Sequence, residues 1–179
     1  MNILHAISKS RITPEHFVAC VEIPAGSKNK YELDVETGAL ILDRILYTAT
    51  HYPQNYGFIP RTWSLDEDPL DVLVICSQPI VPMSLVRAYP VAVLNMIDSG
   101  EVDQKIIAIA ENDPLYNTYH SLRELPPHIV EEISHFFQHY KELEHGKDTI
   151  IEGVRGSQYA KQVIAEAIER YNQKFPDRK

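Results

Sequence analysis

Apolar residues along the first two-thirds of the chain fall into short runs and alternations, and the last third switches to helical spacing. Phe17-Val18-Ala19-Cys20-Val21-Glu22-Ile23 is rich in strand formers and stops at Pro24. Runs over 31–35 and 39–46 flank Glu36-Thr37-Gly38, which reads as a three-residue hairpin loop with glycine where a positive φ is wanted. Further strands are expected at 56–59, 72–76, 85–96 and 105–110, with prolines at several edges. After Pro126-Pro127, Ile129, Ile133, Phe136, Phe137 and Tyr140 recur at helical intervals, and Gly146 lies beyond the end. A second helix starts at Ser157, a plausible N-cap, and runs through Ala160, Val163, Ile164, Ala167, Ile168 and Tyr171. The pattern predicts an α+β architecture: a small closed or nearly closed barrel with C-terminal helices packed outside it. There is no repeat or linker, so residues 1–179 read as a single domain.

Composition narrows the class. An apolar fraction of 44% and a charged fraction of 23% are those of a soluble globular protein. The chain has neither a membrane-length apolar run nor a signal-peptide start, and Cys20 and Cys76 are too few for a disulfide framework. A cytoplasmic protein is expected. The formal net charge of -8 argues against a nucleic-acid partner and suits one that recruits divalent cations.

The densest chemistry lies in Asp66-Glu67-Asp68-Pro69-Leu70-Asp71, with aspartates at i, i+2 and i+5 around a proline. Like charges so close raise one another's pKa unless a cation intervenes. Pro69 biases the segment towards a bent strand or loop, and an extended backbone would aim Asp66 and Asp68 to one side. Asp71 is out of phase and joins them only if the Pro69 bend re-aims it. Carboxylate oxygens select Mg²⁺ or Mn²⁺ over zinc. Other polar and charged residues interleave with the expected strands, namely Glu22, Lys30, Glu32, Arg44, Asp98, Asp103 and Lys105, and Tyr140-Lys141 and Lys147 follow in the helical third. Acids that bind metals, alternating with cations that bind oxyanions, are what phosphoryl chemistry requires.

The segment Asp66–Val72 resembles the aspartate motif of the soluble family I inorganic pyrophosphatases. The likeness continues through Val21-Glu22-Ile23-Pro24, Lys30-Tyr31-Glu32, Asp43-Arg44, Tyr52-Pro53-Gln54-Asn55-Tyr56-Gly57, Met96-Ile97-Asp98, Asp103-x-Lys105 and the stretch from His135 to Lys141. It implies an OB-like barrel of the short bacterial type and Mg²⁺-assisted hydrolysis of inorganic pyrophosphate. Carried over by position, it implies metal ligation by Asp66, Asp71, Asp98, Asp103 and Glu32, with Asp68 as general base. Lys30 and Tyr56 are implied for the phosphate under attack, and Arg44, Tyr140 and Lys141 for the leaving phosphate. Lys105 and Lys147 lie nearby, with Glu22 and Tyr52 behind. The resemblance also implies a homohexamer with His135 and His139 at an interface.

Two positions depart from the family pattern. Glu67 stands where a small or short polar residue is usual, and Ser99 stands where many members carry Glu. Competing readings are a Mg²⁺-dependent phosphohydrolase acting on nucleotides or organic phosphates, and a non-enzymatic OB-fold or calcium-binding module. No P-loop pattern is present, and an EF-hand counted from Asp66 fails at Leu70, Asp71 and Ser77. A zinc site at His135 and His139 lacks the glutamate that a His-Glu-x-x-His motif needs.

Overall fold

The structure is a computed structural model and describes residues 2–178. A short helix α1 (Ile3–Ala6) precedes strands β1 (Phe17–Ile23), β2 (Asn29–Leu33), β3 (Leu40–Ile45), β4 (Asn55–Phe58), β5 (Asp71–Ile75), β6 (Leu85–Asp98) and β7 (Glu101–Ala110). Helix α2 (Pro127–His139), strand β8 (Thr149–Gly156) and helix α3 (Ser157–Lys174) complete the chain. A six-stranded mixed sheet runs β1-β4-β5-β7-β6-β8, and β1 pairs with β6 as well as with β4. Strands β2 and β3 form a separate hairpin. Among the described residues no helix is long and apolar enough to cross a membrane.

The two faces of the sheet are buried against different helices. Val72 and Val74 of β5 and Ile106 and Ala108 of β7 join the cluster holding Ala160, Val163, Ile164 and Ala167 of α3. Leu73, Ile75, Ile107 and Ile109 join the cluster holding Ile133, Phe136 and Phe137 of α2. Strands buried on both faces read as continuous apolar runs, which is how these two appear in the sequence. Alternation also fixes where the polar ends of the strands point. Asp71, Asp103 and Lys105 share the parity of Leu73 and Ile107, so they emerge on the α2 side. The parallel pairing of β5 with β7 sets Asp71 directly beside Lys105.

Irregularities re-aim particular side chains. Between β1 and β4 the register passes from Val21↔Gly57 to Ile23↔Tyr56, leaving Glu22 as an extra residue in a bulge. In the hairpin the pairing passes from Lys30↔Arg44 to Tyr31↔Leu42, so Asp43 is the extra residue there.

Several elements differ from the sequence expectation. The first hairpin strand begins and ends two residues earlier than 31–35, and the second is one residue shorter at each end than 39–46, because Asp34 closes a longer turn, accepting from the amides of Glu36 and Thr37. Gly38 does take the positive φ, at 78°. Strand β8 was not anticipated: Glu152, Gly153 and Arg155 break its apolar pattern, and it pairs only with β6. Ser157 is the first residue of α3 rather than its cap; Gly156 takes the cap position without a side-chain bond.

Gly57 is required by the close approach of β4 to β1. A Cβ built there would sit 1.9 Å from the carbonyl oxygen of Cys20, a backbone atom that cannot swing away. Gly57→Ala is predicted to destabilise the fold by about 3 kcal/mol, at the upper end of ordinary overpacking costs. Urea unfolding of the variant beside the parent measures this; equal midpoints would contradict the close approach.

Candidate active site

The acidic loop is a turn and not an extended segment. Glu67 has φ 64°, in the left-handed region, and the Ser64 amide donates to the carbonyl of Asp68 at 2.7 Å. The side chain of Asp66 in turn accepts from the Asp68 amide at 3.3 Å. The turn, more than strand periodicity, brings Asp66 and Asp68 together. Glutamate takes this positive φ at a cost that glycine or asparagine would largely avoid. The Glu67 carboxylate points out to Lys174 of α3, 3.8 Å away. Leu70 and β5 then carry Asp71 into the same cleft, so the bend re-aims it as the site requires.

That cleft has a volume of about 250 Å³. Its walls carry seven carboxylates (Glu22, Glu32, Asp66, Asp68, Asp71, Asp98 and Asp103) against three ammonium groups (Lys30, Lys105 and Lys141), together with Tyr56 and Tyr140. Tyr52 lies behind the wall, buried, with its ring 5.3 Å from that of Tyr56 and 4.6 Å from that of Phe136. Arg44 and Lys147 stand outside the lining. Arg44 is opposite Lys30 across the hairpin and is held by Asp43 and Glu144, and Lys147 reaches Glu144.

Lys105 is the centre of the charge arrangement and is only 2% exposed. Its ammonium donates to Asp71 Oδ2 at 2.8 Å, to Asp103 Oδ1 at 3.2 Å and to the Tyr56 hydroxyl at 2.8 Å. It also lies 5.0 Å from the centre of the Phe137 ring. The neighbouring Asp103 and Asp71 carboxylates hold its pKa above the usual value against the opposing effect of burial. Tyr56 donates to Asp71 at 2.6 Å, and burial lifts its own pKa. Sequence spacing indicated Lys105 only as a cation near the substrate; its burial depends on the β5–β7 pairing, which spacing does not reveal.

The remaining acids are less well compensated. Burial, then repulsion from Asp71 and Asp103, pushes Asp66 up to about 7. Burial and then Asp71 raise Asp68, and burial is also the main cause of the rise at Asp103. Glu22, re-aimed by the bulge, is pushed up to about 8 by burial and then by Asp71, although it accepts the Leu33 amide at 2.7 Å. Asp98 is held by Lys141 and by the Ser99 hydroxyl, at 3.2 Å. Ser99 has φ 50° at the tip of the β6–β7 hairpin, and Glu101 is exposed and does not line the cleft.

The donor set fits a hard divalent cation. It is all oxygen, it carries an excess of negative charge, and burial and then mutual repulsion raise the pKa of acids such as Asp66. Among the described residues no three such side chains already converge as a metal cage. His135 and His139 lie elsewhere on α2 with ring centres 4.5 Å apart, and His139 Nδ1 is 3.2 Å from Glu142.

Comparison with known proteins points one way. The family model for inorganic pyrophosphatase matches residues 19–172. An inorganic pyrophosphatase of Aquifex pyrophilus is 48% identical over 160 residues, covering 88% of this chain and 90% of that protein. Soluble inorganic pyrophosphatase 2 of Chlamydomonas reinhardtii is 47% identical over 165 residues, covering 92% of this chain and 85% of that protein. The crystal structure of inorganic pyrophosphatase from Thermus thermophilus superimposes with a TM-score of 0.91 at 37% identity, covering 95% of this chain and 99% of that one.

The raised acids set a pH dependence. A carboxyl group whose pKa is higher when folded keeps a proton that the unfolded chain has released, so its contribution to stability falls as pH rises between the two values. For Asp66 the window runs from 3.8 to about 7, and for Glu22 from 4.5 to about 8. His5, with a lowered pKa, works in the opposite sense, and the depressed Asp34, Asp43 and Asp113 act below this window. With chelator present, the melting temperature is predicted to drop from pH 5 to pH 8, and added Mg²⁺ is predicted to raise it more at pH 8. Scanning calorimetry at both pH values tests this; an equal Mg²⁺ effect would mean that the cleft acids do not bind the cation as anions.

Proposed function

This chain belongs to the inorganic pyrophosphatase family, and from that premise we propose that its acidic cleft hydrolyses inorganic pyrophosphate to two phosphates with Mg²⁺ and with Asp68 as general base. The observation that best supports this reading is the single cleft in which seven acids, three lysines and three tyrosines meet. Asp66, Asp71, Asp103, Asp98 and Glu32 would hold the metal ions, with Mn²⁺ an alternative cation. Bound divalent metal supplies positive charge to phosphoryl oxygens and lowers the pKa of a coordinated water.

Each side chain then has a task in this reading. Asp68 enters no ion pair among the described residues and its carboxylate accepts no hydrogen bond there, so it is available to take the proton of the attacking water. Lys30 and Tyr56 bind the phosphate under attack. Tyr140 and Lys141, with Arg44 from the rim, bind the leaving phosphate and offset its growing charge. Lys105 orients the Tyr56 hydroxyl and the Asp71 carboxylate through its hydrogen bonds, and Lys147 adds positive charge near the entrance. Glu22 and Tyr52 support these groups from behind. Catalysis by this set is positioning and electrostatics, without a covalent intermediate.

Three further features belong to the same reading. The pairing of β1 with both β4 and β6 supports a closed OB-like barrel. Two free cysteines, one of them buried, accord with a cytoplasmic enzyme. The paired His135 and His139 are the contact we assign to a homohexamer.

Asp68→Asn is predicted to retain Mg²⁺ binding and to lower kcat for pyrophosphate about 100-fold or more, the usual scale for losing a general base. Phosphate release from pyrophosphate and from ATP, with Mg²⁺ and again with EDTA, tests both assignments. A parental rate in the variant would remove Asp68 from the role, and equal release from ATP would favour the broader phosphohydrolase. For the assembly, acidification is predicted to dissociate the hexamer, because the two neighbouring rings repel once both carry charge. Sedimentation at pH 5 and pH 8 measures it; the same species at both values would remove the histidines from the contact.

A further inference from the structure

We propose that Glu144 is a positioning residue that presents the Arg44 guanidinium to the leaving phosphate, an inference that rests on the role given to Arg44 above. Glu144 lies in the loop after α2 and its side chain is only 5% exposed. A carboxylate so buried is costly unless cations answer it. Two do: Arg44 Nε lies 2.9 Å from Oε1, and Lys147 Nζ lies 2.9 Å from the same oxygen. One acid thus gathers cations from two distant segments, the hairpin and the loop that also carries Tyr140 and Lys141.

Arg44 is held from one side. Its Nη1 is bound to Asp43, the bulged residue that also lies 3.4 Å from Lys30. The Nε–Glu144 approach is an ion contact without hydrogen-bond alignment, and Arg44 Nη2 and Glu144 Oε2 are likewise buried with no hydrogen-bond partner among the described residues. A guanidinium gripped on one side by two carboxylates, with a buried donor still uncommitted, is oriented to receive an anion. Arg44 pairs with Lys30, which lines the cleft, and Asp43 touches both cations, so the guanidinium stands beside that lining. Without Glu144 the long side chain regains its rotamers, and Asp43 alone decides where its charge lies.

A double-mutant cycle tests this. Arg44→Ala, Glu144→Gln and the double variant are assayed for kcat and KM on pyrophosphate with Mg²⁺. Binding of methylenebisphosphonate by calorimetry and the melting temperature are followed in parallel. Each single variant is expected to lose about tenfold in kcat/KM and in bisphosphonate affinity, the scale of one charge-assisted contact. The double variant is expected to fall no further than Arg44→Ala, because Glu144 acts through Arg44. Should Glu144→Gln fold poorly, Glu144→Asp keeps the charge but draws it back by one methylene, and the same cycle is run with it. Parental behaviour of the Glu144 variants beside an impaired Arg44→Ala, or losses that multiply, would overturn the positioning role. An unimpaired Arg44→Ala would instead overturn the role given to Arg44 itself.

Discussion

A lysine ammonium buried between two carboxylates and a phenol is the interaction on which the rest of this site depends. Lys105 meets Asp71, Asp103 and Tyr56 at hydrogen-bond distance, in a wall closed by Phe137. Either sign of charge alone would be expelled from such a place. Together they allow the sheet to carry ionised groups into its interior without opening it to water. The acids at the mouth, Asp66 and Asp68, remain in the cleft with no ion-pair partner among the described residues. The protein balances its charge deep in the wall and leaves it unbalanced at the entrance, which is where a mobile cation and a polyanion can be received.

The scaffold that places these groups is made of small departures from regularity. A bulge turns Glu22 inwards, a second bulge puts Asp43 between Lys30 and Arg44, and a left-handed residue folds the acidic loop so that alternate aspartates share a direction. A regular strand would spread these side chains over two faces. Rigidity comes from beneath: strands buried on both sides, and the packed rings of Tyr52, Phe136 and Phe137. Groups held this firmly have little reorganisation to undergo during a reaction, which is how fixed dipoles and charges outperform water.

Much of this was legible in the chain. The β-rich start, the two main helices and the acids of the cleft follow from period, punctuation and charge. Other features were not. β8 carries Gly153 and charged residues on an edge, so its apolar signal is weak, and its existence depends on β6 being there to pair with it. The turn at Glu67 could not be read from a residue that ordinarily avoids positive φ. Lys105 showed its charge but not its burial, and Glu144 gave no signal because its partner on the hairpin, Arg44, is distant in sequence. Spacing reports neighbours within one element; it is silent on contacts that only tertiary pairing creates.

The parallel pairing of β5 with β7 has a consequence for how the molecule comes to exist. Asp71 and Lys105 are 34 residues apart, and the strand between them must first double back as the β6–β7 hairpin. Closing that distance is entropically costly, so the pairing belongs among the slower contacts to form. A slip of one residue would turn Lys105 to the opposite, apolar face and strand its charge among the alanines and valines packed under α3. The same ion pair that serves the finished site therefore proofreads the fold, because only one register of these two strands can neutralise it.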